Sequence, residues 1–372
     1  MVNTVQNSTV QNSTVEAETV QTETGEKKIY PRGCTFEASD WDVLASFWYP
    51  IAFSHEVNQH PISATLLDQR LVIWRTSAGL SVANDICLHR GVPLSMGSLK
   101  GDQLVCKYHG FHYSAEGRCV LIPADPTASI PAKLCLKTYP VREAYGLVWT
   151  SLTGSDRSEP REANRTLPDF HEWDNPDYQQ ILPDAVNLNA ASGRQMEGFL
   201  DVAHFAWVHT NSFGDSNNPL VPRYEVKKTP NGILAEYLST VSNFPKAMQH
   251  RAPADFEWLR IFEVFFPFTA RLTVHFPDDG RLCILNAASP ISARQTRVFC
   301  PICRNFDKDS PLEPIYEFNY QVFAEDKEVV EAQYPEDLPL DLRAESHIRA
   351  DQTSIAYRKG LGALGLGKTY TA

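Results

Sequence analysis

Between Ser39 and Thr153 the apolar positions fall in short runs bounded by Gly, Ser and Pro. These are RLVIWR (70–75), LSVANDI (80–86), QLVCKY (103–108) and YGLVWTSL (145–152). Val, Ile, Trp and Tyr suit a pleated, half-buried surface, so each run reads as a strand. No helix of useful length fits between them, which predicts a small all-β domain. The polar, charged stretch GSDRSEPREANRT (154–166) reads as a linker. Beyond it the period changes. MEGFLDVAHFAWVH (196–209) has helical spacing, and ILAEYLSTV (233–241), WLRIFEVFF (258–266) and RLCILNAAS (281–289) are β-like again. EFNYQVFAEDKEVVEAQ (317–333) returns to a helical period, with Phe318, Val322, Phe323, Val330 and Ala332 among its apolar positions. Helix, sheet, long helix in that order predicts an α+β domain whose antiparallel sheet wraps one long helix.

Ahead of both domains the chain opens on a degenerate five-residue repeat, VQNST, VQNST, VEAET, VQTET. It is polar and free of aromatics, and cannot bury enough surface to offset its ordering entropy, so it is expected to be a disordered tail. The expected division is tail 1–30, first domain 31–155 and second domain 156–372. A chain of 372 residues fits two cores better than one. Its 34 Lys and Arg against 45 Asp and Glu give a net charge of −11, which argues against the basic footprint of a nucleic-acid binder. No apolar run approaches the roughly 18 residues of a membrane span, and the N-terminus lacks a secretory pattern, so a cytoplasmic protein is expected.

Eight cysteines are too few for a disulfide framework in a chain of this length. Two of them carry a histidine two or three residues downstream: Cys87-Leu88-His89 and, after sixteen intervening residues, Cys106-Lys107-Tyr108-His109. Structural zinc accepts two thiolates and two imidazoles, but zinc fingers usually pair the cysteines in one knuckle and the histidines in another. One Cys and one His from each loop suits a [2Fe–2S] cluster with two thiolates on one iron and two imidazoles on the other. His112 is expected to point away as a surface or packing residue. Cys119 and Cys135 are expected to be small buried residues, and Cys300 and Cys303, a lone C-x-x-C in a strand-like run, to be strand thiols in or near the core.

A second constellation lies in the helical stretch 196–209. Asp201 and His204 are three apart and share a helix face, whereas His209 lies about 140° round from His204 on a straight helix. The helix must end or bulge for the two imidazoles to converge. Burying these three groups unpaired among Phe199, Leu200, Val202, Phe205, Trp207 and Val208 would be costly. Two histidines need a carboxylate to complete the triad that holds non-haem Fe(II). The later helix offers Glu325, Asp326, Glu328 and Glu331. Asp326 shares a face with Val329 and Gln333, with Val322 and Val330 nearby, and is the expected ligand; the glutamates are assigned to more solvated positions.

The segment CLHRG…CKYHGFHYSAEGRC (87–119), with Gly91 and Gly110 after the two loops, resembles a Rieske cluster-binding segment. Followed by E-x-F-L-D-x-x-H-x-x-x-x-H and then V-F-A-E-D-K, it makes residues 40 to 360 similar to the oxygenase (α) subunit of Rieske non-haem iron oxygenases. Val92 and Tyr108 stand where respiratory Rieske proteins carry disulfide cysteines, so the oxygenase type is implied. The runs at 323–339 and 355–361 resemble the demethylase and monooxygenase branch. Gly198 replaces the usual Asn after the motif glutamate, and Phe111 the usual Trp.

This resemblance implies an N-terminal Rieske domain and a helix-grip catalytic domain. It implies a [2Fe–2S] cluster on Cys87, His89, Cys106 and His109, and a mononuclear iron on His204, His209 and Asp326. It further implies a head-to-tail homotrimer in which Asp201 bridges the cluster of one subunit to the iron of the next. Electrons would come from a separate flavin and iron–sulfur reductase or a ferredoxin. No Gly-rich phosphate loop precedes a strand–helix unit, so NAD(P)H is expected to act only through that partner. The expected activity is O₂-dependent hydroxylation or oxidative demethylation of a small cyclic or aromatic substrate. The alternatives are cis-dihydroxylation, or electron transfer without oxygen chemistry. The substrate cavity is expected to draw on the strands at 233–241, 258–266 and 281–289 and on residues near Phe199 and Phe205; Phe262, Phe265 and Phe266 hint at a flat ligand but also suit a core.

Overall fold

The computed structural model describes residues 19–21, 27–127, 129–153 and 166–367. Within the predicted tail Thr19–Gln21 and Lys27–Ile29 pair antiparallel. The rest of residues 1–26, and the predicted linker from 154 to 165, lie outside the described residues.

The first domain holds three small antiparallel sheets. Thr138–Tyr139, Gly79–Asn84, Gln69–Thr76 and Ile62–Leu66 lie side by side in one, Val141–Ala144, Leu147–Thr150 and Tyr49–Phe53 in the next. The third runs Cys119–Leu121, His112–Tyr113, Gln103–Val105, Ser98–Lys100. The unbroken apolar run in Gln69–Thr76 has a physical reason, because the strand is covered on both faces. Leu71 and Ile73 enter the core shared with the second domain, and Val72 and Trp74 enter a separate cluster beneath Cys87 and Cys106. The region also contains a helix the apolar pattern does not announce, α1 (Ala38–Leu44). Seven residues are too few to establish a period, yet α1 buries Trp41 and Leu44, and Trp41 Nε1 donates to Leu67 O at 2.9 Å.

The second domain is built on a nine-stranded antiparallel sheet. Its main order is Gln179–Ile181, Ile302–Arg304, Arg281–Ser292, Thr269–His275, Trp258–Phe265, Gly232–Ser239, Glu225–Thr229. Gln295–Phe299 folds back on the far half of Arg281–Ser292 and pairs with Val186–Leu188. The helices are α2 (Ser192–Leu200), α3 (Phe205–Val208), α4 (Glu313–Val330) and α5 (Gln352–Ala363). α4 is the predicted long helix, and its inner residues face the sheet across a cavity. Val322, Asp326 and Val330, spaced four apart, look inward, while Val329 is exposed.

The two domains share one core. Leu67 and Asp68 form the turn between Ile62–Leu66 and Gln69–Thr76 with φ of 50° and 62°. Positive φ at both central residues is the backbone of a tight hairpin turn that usually takes Asn or Gly. Here the turn is pinned from outside: Leu67 N donates to Pro290 O and Asp68 N to Ile291 O, both at 2.8 Å.

Candidate metal centres

The four residues of the first motif sit at the tips of two loops built alike. In one, Cys87 N–H bonds Val92 O and Gly91 N–H returns to Cys87 O; in the other, Cys106 N–H bonds Phe111 O and Gly110 N–H returns to Cys106 O. Gly91 and Gly110 have φ of 72° and 67°, which a side chain would strain. The matched turns bring the His89 and His109 rings to 4.5 Å and bury both cysteines, whose thiols lie within hydrogen-bonding reach of each other. Phe111 stacks on His89 at 4.6 Å, its planes 6° apart, filling the place of the usual indole. His89 Nδ1 is buried with no hydrogen-bond partner among the described residues. A buried orphan nitrogen beside two buried thiols fits a metal-ligand set, because a metal bond would satisfy it. Burial and Cys87 keep the Tyr113 phenol protonated, and its OH lies 3.3 Å from Cys87 Sγ.

Of the two alternatives for His112 the structure takes packing: it is buried, its Nδ1 2.7 Å from Gln103 Oε1. Cys119 is buried as expected, but Cys135 is exposed. Cys300 and Cys303 are buried, with Cys303 directly across the sheet from Cys283. None of the eight cysteines is in a disulfide.

The second constellation converges as its spacing required. α2 ends at Leu200, and Asp201 turns extended (φ −77°, ψ 127°), so the chain re-enters a helix at Phe205 along a new axis. His204 Nε2 and His209 Nε2 thereby come within 3.1 Å, and Asp326 Oδ1 of α4 lies 3.4 Å from the first and 3.2 Å from the second. Glu325 is not solvated, as its sequence position suggested; it lies behind His209. A carboxylate can only accept, so His209 Nδ1–H donates to Glu325 Oε2 (2.8 Å), which also accepts from Ser212 Oγ (2.7 Å). That bond fixes the tautomer and turns the lone pair of Nε2 toward His204 and Asp326. Asp201 plays the matching part more loosely: its Oδ2 lies 3.6 Å from His204 Nδ1, and its Oδ1 accepts from Ala203 N at 2.8 Å.

Three electron-pair donors aimed at one point repel unless a cation sits between them. Burial alone would lower the His204 imidazole, yet the Asp201 and Asp326 carboxylates facing its two nitrogens outweigh it and raise it to about 9. Burial would raise the Asp326 carboxyl, and both histidines hold it below the usual range instead. The pocket favours positive charge at its centre, and two imidazoles with one carboxylate fit mononuclear Fe(II). Glu331 instead accepts from Asn189 N and forms an ion pair with Lys327, and Glu328 is exposed.

Sequence reading missed what braces this helix. Arg358 of α5 grips Glu197 through Nε and Nη2 (2.6 and 2.7 Å), and Glu345 joins Arg358 to Arg194 at 2.5 and 2.7 Å. At Gly198 an added Cβ would lie 3.3 Å from Val330 of α4, so the small residue lets α2 and α4 approach closely.

A cavity of ≈ 430 Å³ opens onto His204, His209 and Asp326, lined by seven phenylalanines: Phe199, Phe205, Phe213, Phe244, Phe276, Phe306 and Phe318. Trp258–Phe265 contributes Arg260 and Arg281–Ser292 contributes Leu282 and Ile284, but Gly232–Ser239 contributes nothing because its inner face packs under α5. Phe262 is core, edge-on to Phe199 at 6.0 Å. Phe265 and Phe266 line a larger space of ≈ 710 Å³ beside α5, which touches none of the candidate ligands. Among the described residues no helix is long and apolar enough to cross a membrane.

Known proteins match both halves. The Rieske [2Fe-2S] domain matches residues 47–140, and the vanillate O-demethylase oxygenase C-terminal domain matches 188–366. Methylxanthine N1-demethylase NdmA of Pseudomonas putida is 32% identical over 335 residues, 87% of this chain and 90% of that one. Toluene-4-sulfonate monooxygenase system iron-sulfur subunit TsaM1 of Comamonas testosteroni is 30% identical, over 78% of this chain and 87% of that one. The structure of P. putida NdmA with caffeine superposes with a TM-score of 0.76 at 28% identity, over 87% of this chain and 92% of that one. A 116-residue stretch is also 40% identical to a fifth of oxidoreductase NdmD, also from P. putida. The chain belongs to the Rieske non-haem iron oxygenases, as an oxygenase (α) subunit of the demethylase and monooxygenase branch with a [2Fe–2S] cluster, a mononuclear iron and electrons from a separate reductase.

Proposed function

We propose that Cys87, His89, Cys106 and His109 hold the cluster, that His204, His209 and Asp326 hold the iron, and that the enzyme oxidatively demethylates a methylated ring bound in the phenylalanine-lined cavity. The observation that carries this reading is the convergence of three ligand atoms, all within 4.8 Å of one another, at the wall of that cavity. When bound, the iron supplies O₂ activation with electrons that arrive through the cluster. The chain does the rest. Glu325 orients His209, Asp201 faces His204, and the phenylalanines exclude water and hold a flat ring against the ligands.

The active form is proposed to be a cytoplasmic head-to-tail homotrimer. The absence of a disulfide among the eight cysteines suits a reducing compartment. Beside the cluster histidines Leu88 and Tyr108 are exposed, the latter 61% and against the His109 ring, and in α3, three residues after His204, Trp207 is 63% exposed. Exposed apolar side chains on the segments that carry both centres suit a heterologous contact that closes as a ring.

Oxygen uptake tests the activity, with a surrogate reductase of the NdmD kind and a panel of methoxyarenes and N-methyl heterocycles. Demethylation consumes one O₂, two electrons and two protons and yields the demethylated ring, formaldehyde and water. Formaldehyde equal to the O₂ consumed is the expected result. A cis-diol without formaldehyde would mean dihydroxylation, and a reducible cluster with no uptake would mean electron transfer alone.

Tyr113 gives a separate check on the cluster. Toward a thiolate ligand its O–H must be the donor, and that bond favours the more negative, reduced cluster. Tyr113→Phe should lower the midpoint potential by roughly 20–60 mV, since about 59 mV corresponds to tenfold in a one-electron couple. An unchanged potential in a spectroelectrochemical titration would place the Tyr113 hydroxyl outside the cluster's hydrogen bonds.

A further inference from the structure

Alternation along Trp258–Phe265 sends Trp258, Arg260, Phe262 and Val264 inward. Three of these are apolar, as an inner face requires. The fourth is an arginine, 1% exposed, in the wall of the cavity that holds the candidate iron ligands. Its Nη1 donates to Ser239 Oγ (3.3 Å), and its Nη2 to Val241 O (2.8 Å), Ser242 O (3.3 Å) and Asn243 Oδ1 (3.2 Å). The guanidinium lies 5.6 Å over the Phe205 ring.

Every one of these partners is neutral, and among the described residues no carboxylate pairs with Arg260. Two of the other three buried arginines differ: Arg358 sits on Glu197 and Glu345, and Arg194 on Glu345. Burial brings Arg260 down to about 10, which still leaves it protonated at neutral pH. Nearby charges in the same wall do not neutralise it. Asp307 is taken by Arg251 at 2.6 and 3.0 Å, and Arg304 adds a further positive charge held by Gln179 Oε1 and Asp307 O. A desolvated cation without a counter-ion is costly to keep. A ligand that brings the missing negative charge would offset that cost.

We infer that Arg260 is a specificity-determining residue, and that the substrate is a flat ring bearing an anionic oxygen group that pairs with this guanidinium while the ring lies among the phenylalanines. The inference rests on the reading of this cavity as the substrate site. A guanidinium offers five N–H donors, and Nε–H makes no hydrogen bond among the described residues, so donors remain for a carboxylate or sulfonate.

Calorimetric titration of the holoenzyme with 4-methoxybenzoate, 4-methoxybenzenesulfonate and the neutral 4-methoxybenzamide tests it. The wild type should bind at least one anion about tenfold or more tightly than the amide, and the tighter anion identifies the group. Arg260→Met should abolish that preference by weakening the anions about tenfold, leaving the amide within about twofold, while Arg260→Lys keeps part of it. Because the ratio is taken within one variant, a general loss of folding does not imitate the result. Equal binding of amide and anions by the wild type would overturn the inference, as would an Arg260→Met variant that weakens all three alike. Oxygen uptake on the same compounds separates the two readings. An anion that binds selectively without uptake counts against oxygenation of such rings and upholds the charge preference. Uptake with the amide alone overturns the preference and upholds the oxygenase.

Discussion

Asp326→Ala and His209→Ala should each yield a brown protein that keeps the cluster's visible spectrum, lacks the mononuclear iron and consumes no O₂ above background. The cluster motif sits on loops of a different sheet, so its spectrum has no reason to change. At the iron site the loss is severe for an electrostatic reason. Asp326 Oδ1 is the negative charge between two imidazole nitrogens 3.1 Å apart, and alanine leaves two buried neutral donors with nothing to balance a divalent cation. His204→Ala should behave alike. Glu325 gives the contrast, since it touches His209 Nδ1 rather than the metal position. Glu325→Gln keeps an acceptor oxygen for that N–H and should weaken iron affinity by about 10–100-fold without abolishing it. Iron content per chain, measured beside the cluster absorbance, decides the matter. If Asp326→Ala retains its iron while Glu325→Ala loses it, the neighbouring carboxylate is the ligand.

That pair of neighbours also marks where sequence stops being informative. Helical facing favoured Asp326 as the inward carboxylate, and it does lie at the two ring nitrogens. The same reasoning put Glu325 in solvent, because facing on α4 says nothing of what packs against its flank. Ser212 and His209 come from the far side of the site, over a hundred residues earlier. The break in the helix after Leu200 was legible for a different reason: the five-residue separation of His204 and His209 forbids convergence on a straight helix. Seven strands were legible from their apolar runs, whereas others such as Tyr49–Phe53, Ile62–Leu66 and Thr269–His275 were not read from the sequence, and α1 was too short to have a period. The cavity was only partly legible. Phe213, Phe244 and Phe306 lie outside the long strands and helices, where no periodicity says which way a side chain faces. Arg260 was hidden inside a run that reads as core, and the Arg358–Glu197 clamp joins residues 161 apart.

Asp201→Asn should leave the cluster reducible and the iron bound, yet slow passage of the electron from one to the other by about 10–100-fold. One carboxylate oxygen is already committed to Ala203 N–H, a contact that holds the extended turn after α2; the other faces His204 Nδ1 at 3.6 Å, long for a hydrogen bond. The side chain is one-third exposed, so it can accept a second imidazole N–H from outside the subunit. In the proposed ring that imidazole is His89 or His109 of the adjoining copy. Asn keeps the size and one acceptor oxygen but removes the charge and puts an NH₂ where an acceptor must be, so it can serve the turn or one histidine and not both. The reading comes from single turnover: pre-reduced enzyme is mixed with substrate and O₂, and cluster reoxidation is followed. A purely structural Asp201 predicts iron loss or a lower melting temperature, and reoxidation at the wild-type rate in whatever iron remains. A bridging Asp201 predicts full iron and slow reoxidation. Dilution separates the trimer from the residue: if the wild type slows as the trimer dissociates, and the variant starts slow and stays so, the path runs between subunits through this carboxylate. Wild-type reoxidation in an iron-loaded Asp201→Asn trimer would remove Asp201 from the path altogether.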